Sequence, residues 1–444
     1  MEIDMTQGKP FKLIIRFLIP VVLGNIFQQL YNMADSIIVG KYVGQDALAA
    51  VGATGTIMFL IIGFMMGLTS GFSVVTAQKF GARDREGVRY SVVSAIVMSG
   101  AIVVVLTAVS LLGMRGLLTL MNTPDNVFDM SYTYISIICA GMVFNVLYNL
   151  TSALLRAVGN SKMPLYFLLL SAGLNVILDL LFVIVIKMGV AGAALATIIS
   201  QGVSGISCLF YIFAKEKGLS PKKEDWAHYR DYARLQLSIG IPMALQFSVT
   251  AIGTVIVQSA LNTLGSVVMA SYTASQKIEQ LLTMPFAGMG VAMATYAGQN
   301  RGINDYARIR LGVRQGAVTT AVYAILAAFV VIASVDLTIP LFVKEDPTPI
   351  LEYAHVYFDI CPKFYAPLGL IFVFRNALQG MGYSVTTLLG AAIELIARIA
   401  LSVVAIRMSS YAGVCYANAL AWLSAGILLF VCYEVVIRKK LSAE

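Results

Sequence analysis

Apolar residues run along this chain in long stretches separated by short polar segments, with neither the two-residue alternation of a half-buried strand nor the one-sided stripe of a soluble helix. About twenty apolar residues in a row, wound as a helix, cross a hydrocarbon core about 30 Å thick. At that depth water cannot satisfy a backbone amide, so each stretch must pair its own N–H and C=O groups as a helix. The pattern predicts twelve such helices, over residues 13–39, 47–77, 90–113, 131–155, 163–186, 191–213, 236–261, 268–297, 308–334, 353–380, 384–406 and 411–437. The first run is too long for the apolar region of a cleavable signal and has no small-residue cleavage site after it, so it is read as a retained helix.

Composition agrees. Charged residues make up 12% of the chain, against about 25% in soluble domains, and the mean hydropathy is +0.82. The expected fold class is an all-α integral membrane protein. The net charge of +8 is a topology signal. Twenty-two basic residues fall in the N-terminus, the segments 79–89, 156–162, 214–235 and 301–314, and the tail Arg438-Lys439-Lys440, while five fall on the opposite side. Basic loops stay cytoplasmic, so both termini are expected inside, in a multi-pass protein of the cell (inner) membrane. No nucleic-acid partner is needed to explain the basic balance.

The two halves repeat one another. Gln78, Gly81 and Asp84 in AQKFGARD fall on Gln299, Gly302 and Asp305 at a shift of 221, as Gly44 falls on Gly265. Pro20 pairs with Pro242 and Gly159 with Gly382 at nearly the same shift. Each half holds six spans, an even number, so both copies enter the membrane the same way and are related by an axis along its normal. The expected organisation is an N-terminal lobe over 1–213, a cytoplasmic linker over 214–235 and a C-terminal lobe over 236–444, two pseudo-symmetric six-helix bundles around a central cleft.

Ionisable groups at membrane depth cost several kcal/mol and mark function. In the first half these are Asp35 on the first helix and Asp179 on the fifth, with Asn175 one turn before Asp179 and a hydroxyl available from Thr197 on the sixth. Neither aspartate has a basic residue near it in its own span, so a proton or a small cation is needed to neutralise it. In the second half Glu279, Arg375, Glu394 and Arg398 are the polar candidates, and Glu394 and Arg398, four apart, can neutralise each other. Pro20, in the middle of the first helix, removes a backbone hydrogen bond and favours a kink. Five scattered cysteines and two distant histidines make neither a disulfide framework nor a metal site.

The stretches PVVLGNIFQQLYNMADSIIVGKYVGQDALAAVGATG (20–55), AQKFGARDREGVR (77–89), LLRAVGNSKMP (154–164) and AGAALAT (191–197) make the chain resemble the multidrug and toxic compound extrusion (MATE) family over nearly its whole length. The resemblance implies a secondary antiporter that exports cationic amphipathic drugs by alternating access, in exchange for H⁺ or Na⁺, with no cofactor, as a monomer. It also matches Asp35, Asn175, Asp179 and Thr197 to the N-lobe polar cluster of the DinF-like branch, a possible Na⁺ site, and Pro20 to that family's kinking proline. The NorM-like branch carries a carboxylate on the seventh helix, where Thr250 stands here and the span 236–261 holds no acid. Two other functions fit the sequence less well. A flippase for a lipid-linked saccharide would want a cationic cavity, and Glu279 and Glu394 offset Arg375 and Arg398. An intramembrane enzyme would want catalytic groups clustered at one interface, and none is apparent.

Overall fold

The computed structural model describes residues 3–121, 123–342 and 347–442, and among these the regular elements are all helical. In chain order the α-helices are α1 (Pro10–Tyr42), α2 (Gln45–Gly81), α3 (Arg85–Leu120), α4 (Asp125–Ala140), α5 (Met142–Ala157), α6 (Lys162–Asp179), α7 (Val190–Lys215), α8 (Ala233–Asn262), α9 (Ser266–Gly302), α10 (Tyr306–Thr338), α11 (Thr348–Ile360), α12 (Tyr365–Gly380), α13 (Ser384–Arg407) and α14 (Tyr411–Leu441). Eleven spans among the described residues are long and apolar enough to cross a bilayer, and the pair α4–α5 makes a twelfth. The protein is thus a multi-pass, all-helical membrane protein.

The helices outrun the apolar stretches that announce them. The span expected over 90–113 is α3, 36 residues long, or about 54 Å at 1.5 Å per residue. Apolar sequence marks only the part at hydrocarbon depth, whereas the backbone ladder continues into the interface until a cap stops it. Asp84 supplies one such cap, its side chain accepting from Gly87 N at 2.8 Å, and Asp305 does the same for α10 with Arg308 N at 2.8 Å.

Three expected spans are not simple helices. The fourth bends by 48° between α4 and α5, at Gly141, where any β-carbon would run into the Ile198 side chain of α7. The fifth leaves α-helical geometry directly after Asp179 for one π-helical turn, Leu180–Val185. The tenth is interrupted between α11 and α12 by a 3₁₀ turn, Cys361–Phe364, whose Pro362 has no N–H to give the ladder.

Helix packing divides the chain into two compact units, Met1–Asp4 with Ile19–Ala244, and Met5–Leu18 with Leu245–Glu444. Helices α1 and α8 each run through the division, and Pro20 and Pro242 lie within two residues of it. The sequence repeat reappears in the backbone. Positive φ angles recur at matched places, Gly44 with Gly265, Arg83 with Asn304, Gly159 with Gly382, and Lys187 with Ser409. Inside the first unit α2 and α8 meet backbone to backbone, because Gly71 and Gly240 face each other with no side chain between them.

The segment 216–232 is pinned to the first unit. Arg89 Nε donates to Asp225 Oδ2 at 2.8 Å, Lys222 N donates to the same oxygen at 2.7 Å, and His228 stacks on Tyr90 with ring centroids 4.2 Å apart. Burial pushes the Asp225 carboxyl up, but these two donors outweigh it and hold the group below its ordinary range. A value lowered on folding means the clamp stabilises fully above the unfolded value, about 3.9, and is lost as pH falls through the lower folded value. In a Trp422→Phe background, Trp226 fluorescence should therefore hold steady from neutral pH to about pH 4 and shift below it. Asp225→Asn should shift it already at neutral pH, and an unchanged spectrum in that variant would contradict the clamp.

Candidate functional site

One face of α1 is polar. Gln28, Tyr31, Asn32 and Asp35 are spaced i, i+3, i+4 and i+7, which aligns them along the helix. All four line a cavity of about 220 Å³ inside the first unit. Its other polar lining comes from Tyr134 on α4, Asn145 on α5, and Thr197 and Gln201 on α7, while Met58, Ile61 and Ile138 are among its apolar walls. Asn145 Nδ2 donates to Gln201 Oε1 at 3.2 Å, tying α5 to α7.

Behind this lining sit Asn175 and Asp179 on α6, 1% and 0% exposed. Asp179 lies next to Asp35, which is 8% exposed and stands between it and the cavity. Asn175 Nδ2 reaches Thr197 Oγ1 at 3.5 Å. The structure therefore brings together the four sequence-predicted residues Asp35, Asn175, Asp179 and Thr197. The π-helical turn that starts at Leu180 widens the helix just past Asp179, and such turns recur at functional sites because they re-aim side chains.

Four oxygens of the site have no donor facing them. Asp35 Oδ1, Asn175 Oδ1 and both carboxylate oxygens of Asp179 are buried without a hydrogen-bond partner. Among the described residues no lysine, arginine or histidine lies within ion-pair distance of either aspartate. Two adjacent buried carboxylates repel each other, and burial costs each part of its hydration. A proton shared between them, or a hard monovalent cation held by oxygen ligands, removes both penalties. Asp35 and Asp179 would carry the charge, and Asn175 and Thr197 would complete an oxygen-only set.

The second unit handles its polar residues differently. Glu394 and Arg398 on α13 form an ion pair at 2.7 Å, each about 10% exposed. Arg398 Nε also donates to Asn418 Oδ1 at 3.2 Å, and Asn418 Nδ2 donates to Tyr272 Oη at 2.7 Å. Arg398, Asn418 and Tyr272 line a small cavity of about 80 Å³. Glu279 on α9 accepts from Tyr357 Oη at 2.9 Å. Arg375 on α12 sits 4.8 Å over the Phe372 ring. Thr250 on α8 donates its hydroxyl to Gln246 O, one turn back in the same helix.

Sequence reading passed over Gln28, Tyr31, Asn32, Tyr134, Asn145 and Gln201. The signal for the first three was the spacing from Asp35, and for Gln201 its place one turn beyond Thr197. Tyr134 and Asn145 carried none, because their approach depends on the bend between α4 and α5.

Known proteins resemble this chain in sequence and in fold. The profile of the MatE family matches residues 20–181 and again residues 242–404, once in each half. The chain is 34% identical over 316 residues to the "Probable multidrug resistance protein YpnP" of Bacillus subtilis (strain 168), spanning 69% of this chain and 68% of that protein. It is 26% identical to the "Probable multidrug resistance protein NorM" of Thermotoga maritima, over 84% of this chain and 80% of the other. A solved structure described as "Crystal structure of MATE in complex with MaL6" superposes with a TM-score of 0.93 at 23% identity, covering 99% of both chains.

The ion pair of the second unit gives a stability prediction. Glu394→Gln leaves the Arg398 charge buried without its carboxylate and should destabilise the purified protein by about 3–5 kcal/mol. The double variant Glu394→Gln/Arg398→Gln should melt closer to the parent. Equal melting temperatures for the single variant and the parent would refute a buried pair.

Proposed function

The chain belongs to the MatE family of membrane transporters, and from that premise we propose that it is a secondary antiporter exporting amphipathic organic cations against an inward flow of H⁺ or Na⁺. The observation that carries this reading is the adjacent pair Asp35 and Asp179, buried without a counter-ion at the wall of a cavity. Negative charge so held exchanges one cation for another. With the outward side open and the pair ionised, a drug cation is held in the cavity by Asp35 and by the Tyr31 and Tyr134 rings. Protonation of the pair, or Na⁺ entry with Asn175 and Thr197 as further oxygen donors, cancels that charge and the drug leaves outwards. The names of the bacterial relatives, multidrug resistance proteins, support the drug class.

Coupling through the first unit is the DinF-like arrangement, and the partnered acids of the second unit support it. Pro20 lacks the N–H that would bond Arg16 C=O, so α1 is weakest fifteen residues before Asp35, and we place the hinge of the transport cycle there. The basic loops support a cytoplasmic location for both termini, and the bacterial relatives support the cell membrane.

Transport into everted membrane vesicles tests the proposal. Asp35→Asn should lower ion-gradient-driven uptake of a fluorescent cation on the order of tenfold or more, since the neutral amide can neither take up a proton nor attract a cation. Sodium and proton gradients imposed separately identify the coupling ion. Full-rate uptake by Asp35→Asn under the productive gradient would sink the assignment.

A further inference from the structure

Two further cavities open on the linker-side end of the first unit. One, of about 580 Å³, is lined by Arg83, Arg85, Arg89, Lys215 and Lys217, with Asp4, Asp84 and Glu216. The other, of about 290 Å³, is almost wholly apolar and includes Val92, Val146, Leu154, Phe213 and Trp226. They are neighbours along three elements. On α3 Val88 lines the first and Val92 the second; Leu154 on α5 lines the second and Val158, which caps that helix, the first; after α7 Gly218 lines the first and Leu219 the second. Each helical pair is one turn apart, about 5.4 Å.

Most of the acids around the basic cavity are already committed. Asp84 accepts from Lys79 Nζ at 2.9 Å and from Gly87 N, and Glu216 accepts from Asn160 Nδ2 at 2.8 Å and from Tyr211 Oη at 3.3 Å. Arg89 is spent on Asp225. Arg83, Arg85, Lys215 and Lys217 are all exposed, and among the described residues none of the four is in an ion pair. In the apolar groove Val143, Phe213 and Trp226 are between 44% and 49% exposed, so its mouth is open to the surroundings. Trp226 is held there by the Arg89–Asp225 clamp.

We propose that these two neighbouring cavities together bind an anionic phospholipid of the linker-side leaflet. The phosphate sits among Arg83, Arg85, Lys215 and Lys217, and one acyl chain lies in the groove against Trp226. The division into a cationic and an apolar part, end to end along the same helices, fits that ligand best. A free phosphate would leave the groove empty, and a zwitterionic lipid would leave the four cations uncompensated. Clustered basic side chains beside a bilayer favour anionic headgroups, and tryptophan favours the headgroup level.

Trp226 reports on the site directly. In a full-length Trp422→Phe background, reconstituted in phosphatidylcholine bilayers, a small fraction of phosphatidylglycerol with brominated acyl chains should quench Trp226. Quenching by the same fraction of brominated phosphatidylcholine should be weaker by roughly tenfold. The variant Arg83→Gln/Arg85→Gln/Lys215→Gln/Lys217→Gln should lose that preference, whereas Arg438→Gln/Lys439→Gln/Lys440→Gln, which removes a cluster of three basic residues of the other unit, should keep it. Equal quenching by both lipids, or a preference that survives the fourfold variant, would overturn the proposal. So would full reversal of the quenching by inorganic phosphate at constant ionic strength, which would make the basic cavity a phosphate site.

Discussion

Two carboxylates buried side by side in a helix bundle are the constraint around which the first unit is built. Asp35 and Asp179 cannot both stay ionised there without a partner, and among the described residues no basic side chain is within ion-pair distance of them. The unmet demand falls on whatever mobile cation can enter. The surrounding features serve that arrangement. The polar face of α1 aims Asp35 at the cavity, the π-helical turn follows directly on Asp179, and Asn175 with Thr197 keeps oxygen atoms in reserve beside them.

The duplicated scaffold sharpens the point. Both halves share their caps, their left-handed turn residues and their mid-helix prolines. Their buried charges differ in kind. Where the first half has Asn175 and Asp179, the second has Glu394 and Arg398, also four residues apart, which close on each other at 2.7 Å. Glu279 has a tyrosine hydroxyl. A carboxylate already satisfied gains little from an incoming ion, so on the proposed reading one scaffold used twice gives one half that exchanges charge and one half that does not.

Much of this was legible in the sequence, and what was missed has physical reasons. Twelve spans and their duplication could be read because hydrocarbon depth forces apolar runs and because Gly, Pro and Asp recur where the backbone needs them. The ends of helices could not, since beyond the hydrocarbon the ladder continues through charged sequence such as the first turns of α3. The bend at Gly141 depends on the approach of Ile198, far away in sequence. The π-helical turn is written in ordinary apolar residues, Leu180–Val185. Of the site, the ionisable members stood out against an apolar background, whereas Tyr31, Tyr134, Asn145 and Gln201 are unremarkable until α1, α4, α5 and α7 converge. The linker read as a polar spacer, because the Arg89–Asp225 clamp that folds it back joins residues 136 apart.

The central claim is that a drug cation and a small cation compete for the same buried negative charge. Ion release on binding measures that competition without any membrane gradient. Adding a cationic drug to purified protein in weakly buffered solution, with hydrogen and sodium ions followed by electrode, should release one of the two in proportion to drug bound. The release should vanish in Asp35→Asn/Asp179→Asn. Drug binding of full affinity with neither ion released would contradict the account.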